Sequence, residues 1–435
     1  MKEQKNTEIA NGYKMTELGH LPKEWDVVRL GEVCIFQGGS QPPKSVFTYE
    51  PKEGYVRLLQ IRDYESDDYA TYVPISSKLR MVSPEDVLIA RYGWSVGKIL
   101  RGKHGAINVA IVKVINNPEK IDNSFLYYRL HQRDFQIFVK GLGGGRAVQA
   151  GFNRSELNAF SIPLPPLPEQ RKIAAILSTV QKAIETEKTL IERTKELKKS
   201  MMQKLFTEGI GWLSGVETSQ KQTEIGPIPE SWEVVRLGEL GNCITGTTPR
   251  TSIKDYYQPE EFDFIGPSDL GKTKFVYESI NKISSKGLSV ARVLPKNTVM
   301  FVCIGSTIGK TGITYKEISC TNQQINSIIC NEKYNFNFVY YLLTFYSSYI
   351  KNISSFGPKN ILSKGQFTKI KIPVTFDKIE QQAIVDILST IDQKIEHHTT
   401  KKQKLEELFR TLLHELMTAR VRVDKINLDF LKMEE

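Results

Sequence analysis

The stretch GSTIGKT at 305–311 is where this sequence comes nearest to phosphate-handling chemistry. A nucleotide-binding loop places four residues between its first glycine and its Gly-Lys pair, so that backbone N–H groups can wrap the phosphates. Here there are three, and the related GWSVGKI at 93–99 lacks the Ser or Thr that would hold magnesium. Both read as glycine-rich turns after a buried strand, with Lys98 and Lys310 projecting at matching places, suited to phosphate oxygens. Nothing else offers catalysis. The carboxylates show no paired spacing, and neither an NPP[FYW] tetrapeptide nor a strand-borne glycine motif for S-adenosylmethionine occurs. The cysteines at 34, 243, 303, 320 and 330 have no CxxC spacing, which argues against zinc and disulfides and favours a reducing cytoplasm. His397 and His398 are neighbours on a helix and face different ways, so no metal site is expected. No catalytic, cofactor-binding or metal-ligating residue is assigned.

What remains is a surplus of cations. Net charge is +10, which suits a polyanionic partner and, taken alone, suits solubility equally well. No apolar run reaches 18 residues, so no membrane span is expected. The N-terminal MKEQKNTEIANGYK has no apolar segment typical of a signal peptide.

The elements that must carry this chemistry come in two copies. TELGHLPKEWDVVRLGE (16–32) returns as TEIGPIPESWEVVRLGE (223–239), with 11 of 17 positions identical. IPLPPLPEQRKIAAILSTV (162–180) returns as IPVTFDKIEQQAIVDILSTI (372–391). Between these markers lie short strand-like runs, VLIA (87–90), AINVAIVKVI (106–115), TVMFVCI (298–304) and INSIIC (325–330), interspersed with helical stretches. The expected class is mixed α+β, two tandem repeats of a globule followed by a long helix.

Nothing breaks a helix from Glu169 to Phe206 or from about Glu380 to Met417. Such a helix of about 38 residues would run roughly 57 Å. Steps of four and three trace an apolar seam through Ile173, Leu177, Val180, Ile184, Ile191, Met201 and Leu205. A second seam runs through Ile384, Leu388, Ile391, Ile395, Leu405, Phe409, Leu412 and Leu416. A pseudo-twofold tandem would pair them as an antiparallel coiled coil, and pairing could bring the polar interruptions Glu187, His398 and Lys402 together. Pro168 suits a first helical position and Asp377 with Glu380 a capping box. The expected divisions are 1–167 and 213–376 for the globules, 168–212 and 377–420 for the helices, and a tail from 421.

On these residues the chain resembles the specificity subunits of type I restriction–modification systems. The carriers are LPKEWDVVRLGE and IPESWEVVRLGE, GGSQP (38–42), TGTTP (245–249), the Gly-Lys pairs at 97–98 and 309–310, and IPLPPLPEQRKIAAIL. The second copy departs from the pattern in reading VTFDKIEQQ. The resemblance implies that each globule is a target recognition domain reading one half of a bipartite site in double-stranded DNA. It implies that the long helices space the domains and dock two methyltransferase subunits, with motor-endonuclease subunits joining for cleavage. S-adenosylmethionine, ATP and magnesium would then belong to the partners, and this chain would be non-catalytic. The competing readings are a coiled-coil adaptor with two protein-binding modules, and the specificity partner of a fused restriction–methylation enzyme.

Differing half-sites require side chains that differ between the copies, arginine for guanine and amides for adenine. In the first globule the candidates are Arg57, Gln60, Arg62, Arg91, Tyr92 and Trp94, followed by Arg101 and His104. In the second they are Arg250, Lys254, Tyr256, Tyr257 and Ser268, then Lys272, Lys274, Asn322 and Gln323. Gln41, Lys44 and Thr248 fall in the loop that the resemblance places near DNA. Lys78 and Lys286 sit in matched Ser-Ser-Lys turns, and Arg146, Arg154, Lys359 and Asn360 in glycine-bearing loops suited to the backbone.

Overall fold

The computed structural model describes residues 12–142, 151–215, 219–354, 361–423 and 426. The chain forms two compact units, and the division falls inside the long helices rather than at their ends. One unit takes the chain up to Glu187 together with the residues from Lys401; the other is Lys188–Thr400.

Each unit contains the same pair of sheets. In the first, Cys34–Gly38, Ile111–Asn116, Val87–Ala90 and Ile99–Leu100 lie side by side, all antiparallel. Gly241–Thr245, Ile325–Cys330, Val299–Val302 and Thr311–Thr314 repeat that order in the second, with an added parallel edge strand, Phe275–Val276. The companion sheet is ordered Tyr72–Pro74, Tyr55–Leu59, Gly105–Ile107, Met81–Val82 in one unit. Asn281–Ile283, Phe262–Ile265, Ile318–Thr321, Val293–Pro295 repeat it in the other.

VLIA and INSIIC form strands as expected, with VLIA buried at every position because its sheet is covered on both faces. AINVAIVKVI breaks into two strands at Asn108, whose side-chain oxygen accepts the Ala110 N–H at 3.1 Å and closes a turn. The stretch after Asp122 likewise divides into Asn123–Leu130 and Arg133–Leu142.

The ends of each globule are sewn together by one antiparallel pair. Asp26–Arg29 pairs with Ser161–Leu164, and Glu233–Arg236 with Lys371–Val374. The chain then enters the helices Leu167–Glu208 and Lys378–Met417, 42 and 40 residues long. Pro168 is thus the second helical residue rather than the first.

The seams behave as their spacing requires: none of the fifteen apolar seam positions is exposed. In the first unit Ile173 and Leu177 share a core with Phe409, Leu412 and Leu416. In the second Met201 and Leu205 share one with Ile384, Leu388, Ile391 and Ile395. The helices therefore run antiparallel within each unit. Glu187, only 3% exposed, is met by Lys401 at 2.7 Å. Of His398 and Lys402, the two residues that the sequence set against it, Lys402 turns along its own helix to Glu406 at 2.8 Å.

Candidate nucleic-acid interface

Four loops converge at one end of the paired sheets in the first unit. Gly39 and Ser40 donate their N–H groups to Ile111 and Ile107, seating the 38–43 loop on the strand ends. The fit is close enough that a Cβ on Gly39 would meet the Asn108 carbonyl oxygen at 2.1 Å. Arg91 N–H donates to the Ala110 carbonyl at 2.8 Å, joining the 91–97 turn to the 108–110 turn. The fourth loop arrives through the Tyr92–Gly151 bridge and the Arg91 guanidinium, which donates to the Phe152 carbonyl at 2.9 Å.

The second unit repeats this frame. Gly246 N–H donates to Ile325, Cys303 N–H to Gln324 at 2.7 Å, and Leu362 N–H to Cys303 at 2.8 Å. Ile304 bridges Ile361, and a Cβ on Gly246 would strike the Asn322 carbonyl oxygen at 2.2 Å. The turn tips differ. Trp94 and Val109 stand on the first unit's turns where the second carries Ser306 and Gln323. Around Gln323 lies a row of polar side chains: its amide oxygen accepts the Thr248 hydroxyl, and Asn322 donates to Gln324 at 3.1 Å.

At the opposite end of each globule a buried anchor fixes the long helix. Trp25 Nε1 donates to Glu169 at 2.9 Å and Trp232 Nε1 to Glu380 at 3.0 Å, both indoles being fully buried. The next residue ties the helix to a cap on the globule. Gln170 donates to the Lys120 and Pro165 carbonyls and accepts from Asp122 N–H; Gln381 donates to Lys333 and Thr375 and accepts from Asn335 N–H. Asp122 and Asn335 cap the helices that follow them. Glu380 is therefore not half of a capping box. Asp377 alone caps, accepting from Ile379 N–H at 2.8 Å, while the Glu380 carboxylate is directed to Trp232.

The profile of the type I restriction modification DNA specificity domain matches this chain twice, over residues 22–196 and 229–407. The chain belongs to that family. It is 30% identical to the type I restriction enzyme MjaVIII specificity subunit of Methanocaldococcus jannaschii, over 94% of this chain and 95% of that protein. Its fold is that of the S subunit of a type I restriction–modification system from M. genitalium, with a TM-score of 0.61 and 19% identity over 90% of this chain and 96% of the other. A chain from a type I restriction–modification complex gives 0.55 at 18% identity, over 92% and 99%. As a type I specificity subunit, the chain thus has two recognition domains. Among the described residues no helix is long and apolar enough to cross a membrane, and no group of acidic, His or Cys residues is arranged for a metal.

The frame sorts the specificity subunit's candidate contacts. Several are engaged internally. Arg57 is paired with Asp63 and Asp67, and those hydrogen bonds raise its pKa against the opposing effect of burial. Gln60 donates to Thr71, and Arg101 donates to Ser124 and lies over Tyr127. Tyr257 donates its hydroxyl to the Pro249 carbonyl, and Tyr256 beside it is half-buried. Lys98 is paired with Glu65 and Lys286 with Asp255, each on the surface. Lys310 packs its stem beside Gly271. Lys274 lies against Tyr341 and Ser389, at the long helix, where burial pushes its pKa down to about 8.

Others point outward. Gln41 is exposed in the seated loop, Arg62 lies over the Tyr69 ring at 5.4 Å, and Trp94 is wholly exposed. Lys44, Lys78, His104 and Arg154 are exposed in the first unit, as are Arg250, Lys254, Ser268 and Lys272 in the second. Arg146, Lys359 and Asn360 lie outside the described residues. Sequence reasoning missed the anchoring roles of Glu169, Gln170 and Gln381 and misassigned Glu380, although the repeated Glu-Gln pair was their signal. It also passed over Arg292, which donates to the Thr245 carbonyl at 2.8 Å beside the polar row.

Proposed function

We propose that this specificity subunit reads an asymmetric bipartite site in double-stranded DNA, one half-site per recognition domain, and docks methyltransferase subunits through its long helices. The observation that carries the reading is the constant frame with divergent tips: Trp94 and Val109 stand where Ser306 and Gln323 stand in the repeat. A duplicated scaffold with altered contact residues suits two unlike half-sites. Motor-endonuclease subunits would complete the cleaving complex. In this reading the chain is non-catalytic and cytoplasmic, and S-adenosylmethionine, ATP and magnesium are used by the partner subunits. Affinity rests largely on Lys and Arg contacts to phosphate and falls steeply with salt.

The test is a domain exchange. Replacing residues 20–160 with another specificity subunit's recognition domain should change one half of the methylated motif and leave the other intact. Sequence-independent binding at every salt concentration, in gel shifts with the methyltransferase present, would overturn the reading.

A further inference from the structure

Of the four tryptophans, Trp25 and Trp232 are buried anchors and Trp212 is partly buried beneath the Lys204 ammonium at 3.9 Å. Trp94 is different. Its relative exposure is 106%, so the whole ring is left in water. It does not hang from a slack loop. Val96 N–H donates to Gly93, Gly97 N–H to Ala90 at 2.9 Å, and Lys98 N–H to Ser95 at 2.9 Å. Gly93 and Gly97 take φ of 71° and 82°, backbone open to glycine at little cost.

The turn does not need the indole. The second unit builds the same turn around Gly305 and Gly309 with Ser306 at the equivalent tip. Trp94 is thus presented rather than packed. Its surroundings identify what it is presented to. Lys98 ties this turn to Glu65, and Lys103 with Arg57 ties Asp67, so the 61–70 loop is pinned beside it and Asp67 is neutralised. That loop exposes Tyr69, 62% accessible, beneath Arg62. Exposed rings with an arginine laid over one of them suit stacking on nucleobases, which every base offers through its π-face.

We propose that Trp94 inserts into the base stack of the first half-site and unstacks one step there, a mode the second recognition domain lacks. Apolar side chains wedged between base pairs are an established way to kink a duplex. The inference rests on the reading of the turn tips as DNA-facing.

The experiment uses the full chain with its methyltransferase subunits and duplexes carrying the motif that they methylate. 2-Aminopurine is placed singly at successive steps of each half-site other than the base that is methylated, which methyltransferases flip out of the stack themselves. Wild type should raise fluorescence at one step of the first half-site and none of the second. Trp94→Ala should abolish that rise and weaken specific binding roughly ten- to hundredfold. Trp94→Phe should restore part of both. Specific wild-type binding with no fluorescence rise, or with a rise that survives Trp94→Ala, would overturn the wedge and leave the proposed function standing. Loss of methyltransferase assembly in a normally folded Trp94→Ala protein would also overturn it, assigning the ring to a protein contact. Absence of any sequence-specific binding by wild type would overturn the function and the wedge with it.

Discussion

Where each globule meets its long helix, the two units use opposite chemistry in one position. In the first unit Tyr128 packs edge-on against Phe409, ring centroids 6.0 Å apart. In the second, Lys198 takes the equivalent helical place, since 198 plus 211 is 409. It pairs with Asp392 at 2.6 Å, Asp392 accepts the Tyr341 hydroxyl at 2.8 Å, and Lys274 reaches Tyr341 and Ser389 at 3.3 and 3.2 Å. An aromatic contact and a connected polar cluster thus perform the same mechanical task. The difference teaches that the backbone frame sets where the support lies, while its chemistry can change provided that every buried polar group finds a partner.

The comparison would break first if the two anchors were unequal. Trp25→Ala and Trp232→Ala should each destabilise their own unit by about 3–5 kcal/mol in denaturant unfolding, mainly through the cavity, with Glu380 also losing its indole partner while Glu169 keeps Arg422 at 2.8 Å. A loss below about 1 kcal/mol in either would show that the anchors are not equivalent.

Next come the supports. Asp392→Ala leaves two lysines facing each other and should cost about 2–3 kcal/mol, below the value for a fully buried pair because the site is partly open to water. Lys198→Met with Asp392→Leu should recover most of this, imitating the first unit's apolar solution; failure to recover would mean that the polar cluster is required. A smaller, pH-dependent effect belongs to Lys274. Its folded pKa of about 8 lies below the ordinary 10.5. The unfolded state therefore binds the proton more tightly, and this group's destabilising contribution, complete below about pH 8, fades as pH rises towards 10.5. Lys274→Met should abolish that rise in the melting temperature of the second unit. An unchanged slope would mean that another group titrates.

The smallest effects are expected at exposed cations. Lys78→Ala and Lys272→Ala should leave stability within about 0.5 kcal/mol and lower the log–log salt dependence of DNA binding by about one unit each. Inequality between them would show which recognition domain leans harder on phosphate.

Much of this architecture was legible beforehand because its signals are local. Helical periodicity marked the seams residue by residue, and near-identical strings marked the repeat. The interface was less legible. Arg57 and Arg101 looked like readers, yet their partners Asp67 and Ser124 come from a following loop and a following helix, and side-chain type alone does not reveal whether a cation is already engaged. The Glu380 carboxylate was misread for a related reason: a capping-box spacing is local, but its partner Trp232 lies 148 residues away.

By itself, the sequence determined the duplication, the paired helices and the family, because hydrophobic period and repeated strings depend only on neighbours along the chain. Tertiary structure alone decided which polar groups face solvent and which are consumed within. Glu169 illustrates this, shared between Trp25 and Arg422, the latter 253 residues distant. The physical reason is that a charge or hydrogen bond is satisfied by whatever folding brings within about 3 Å.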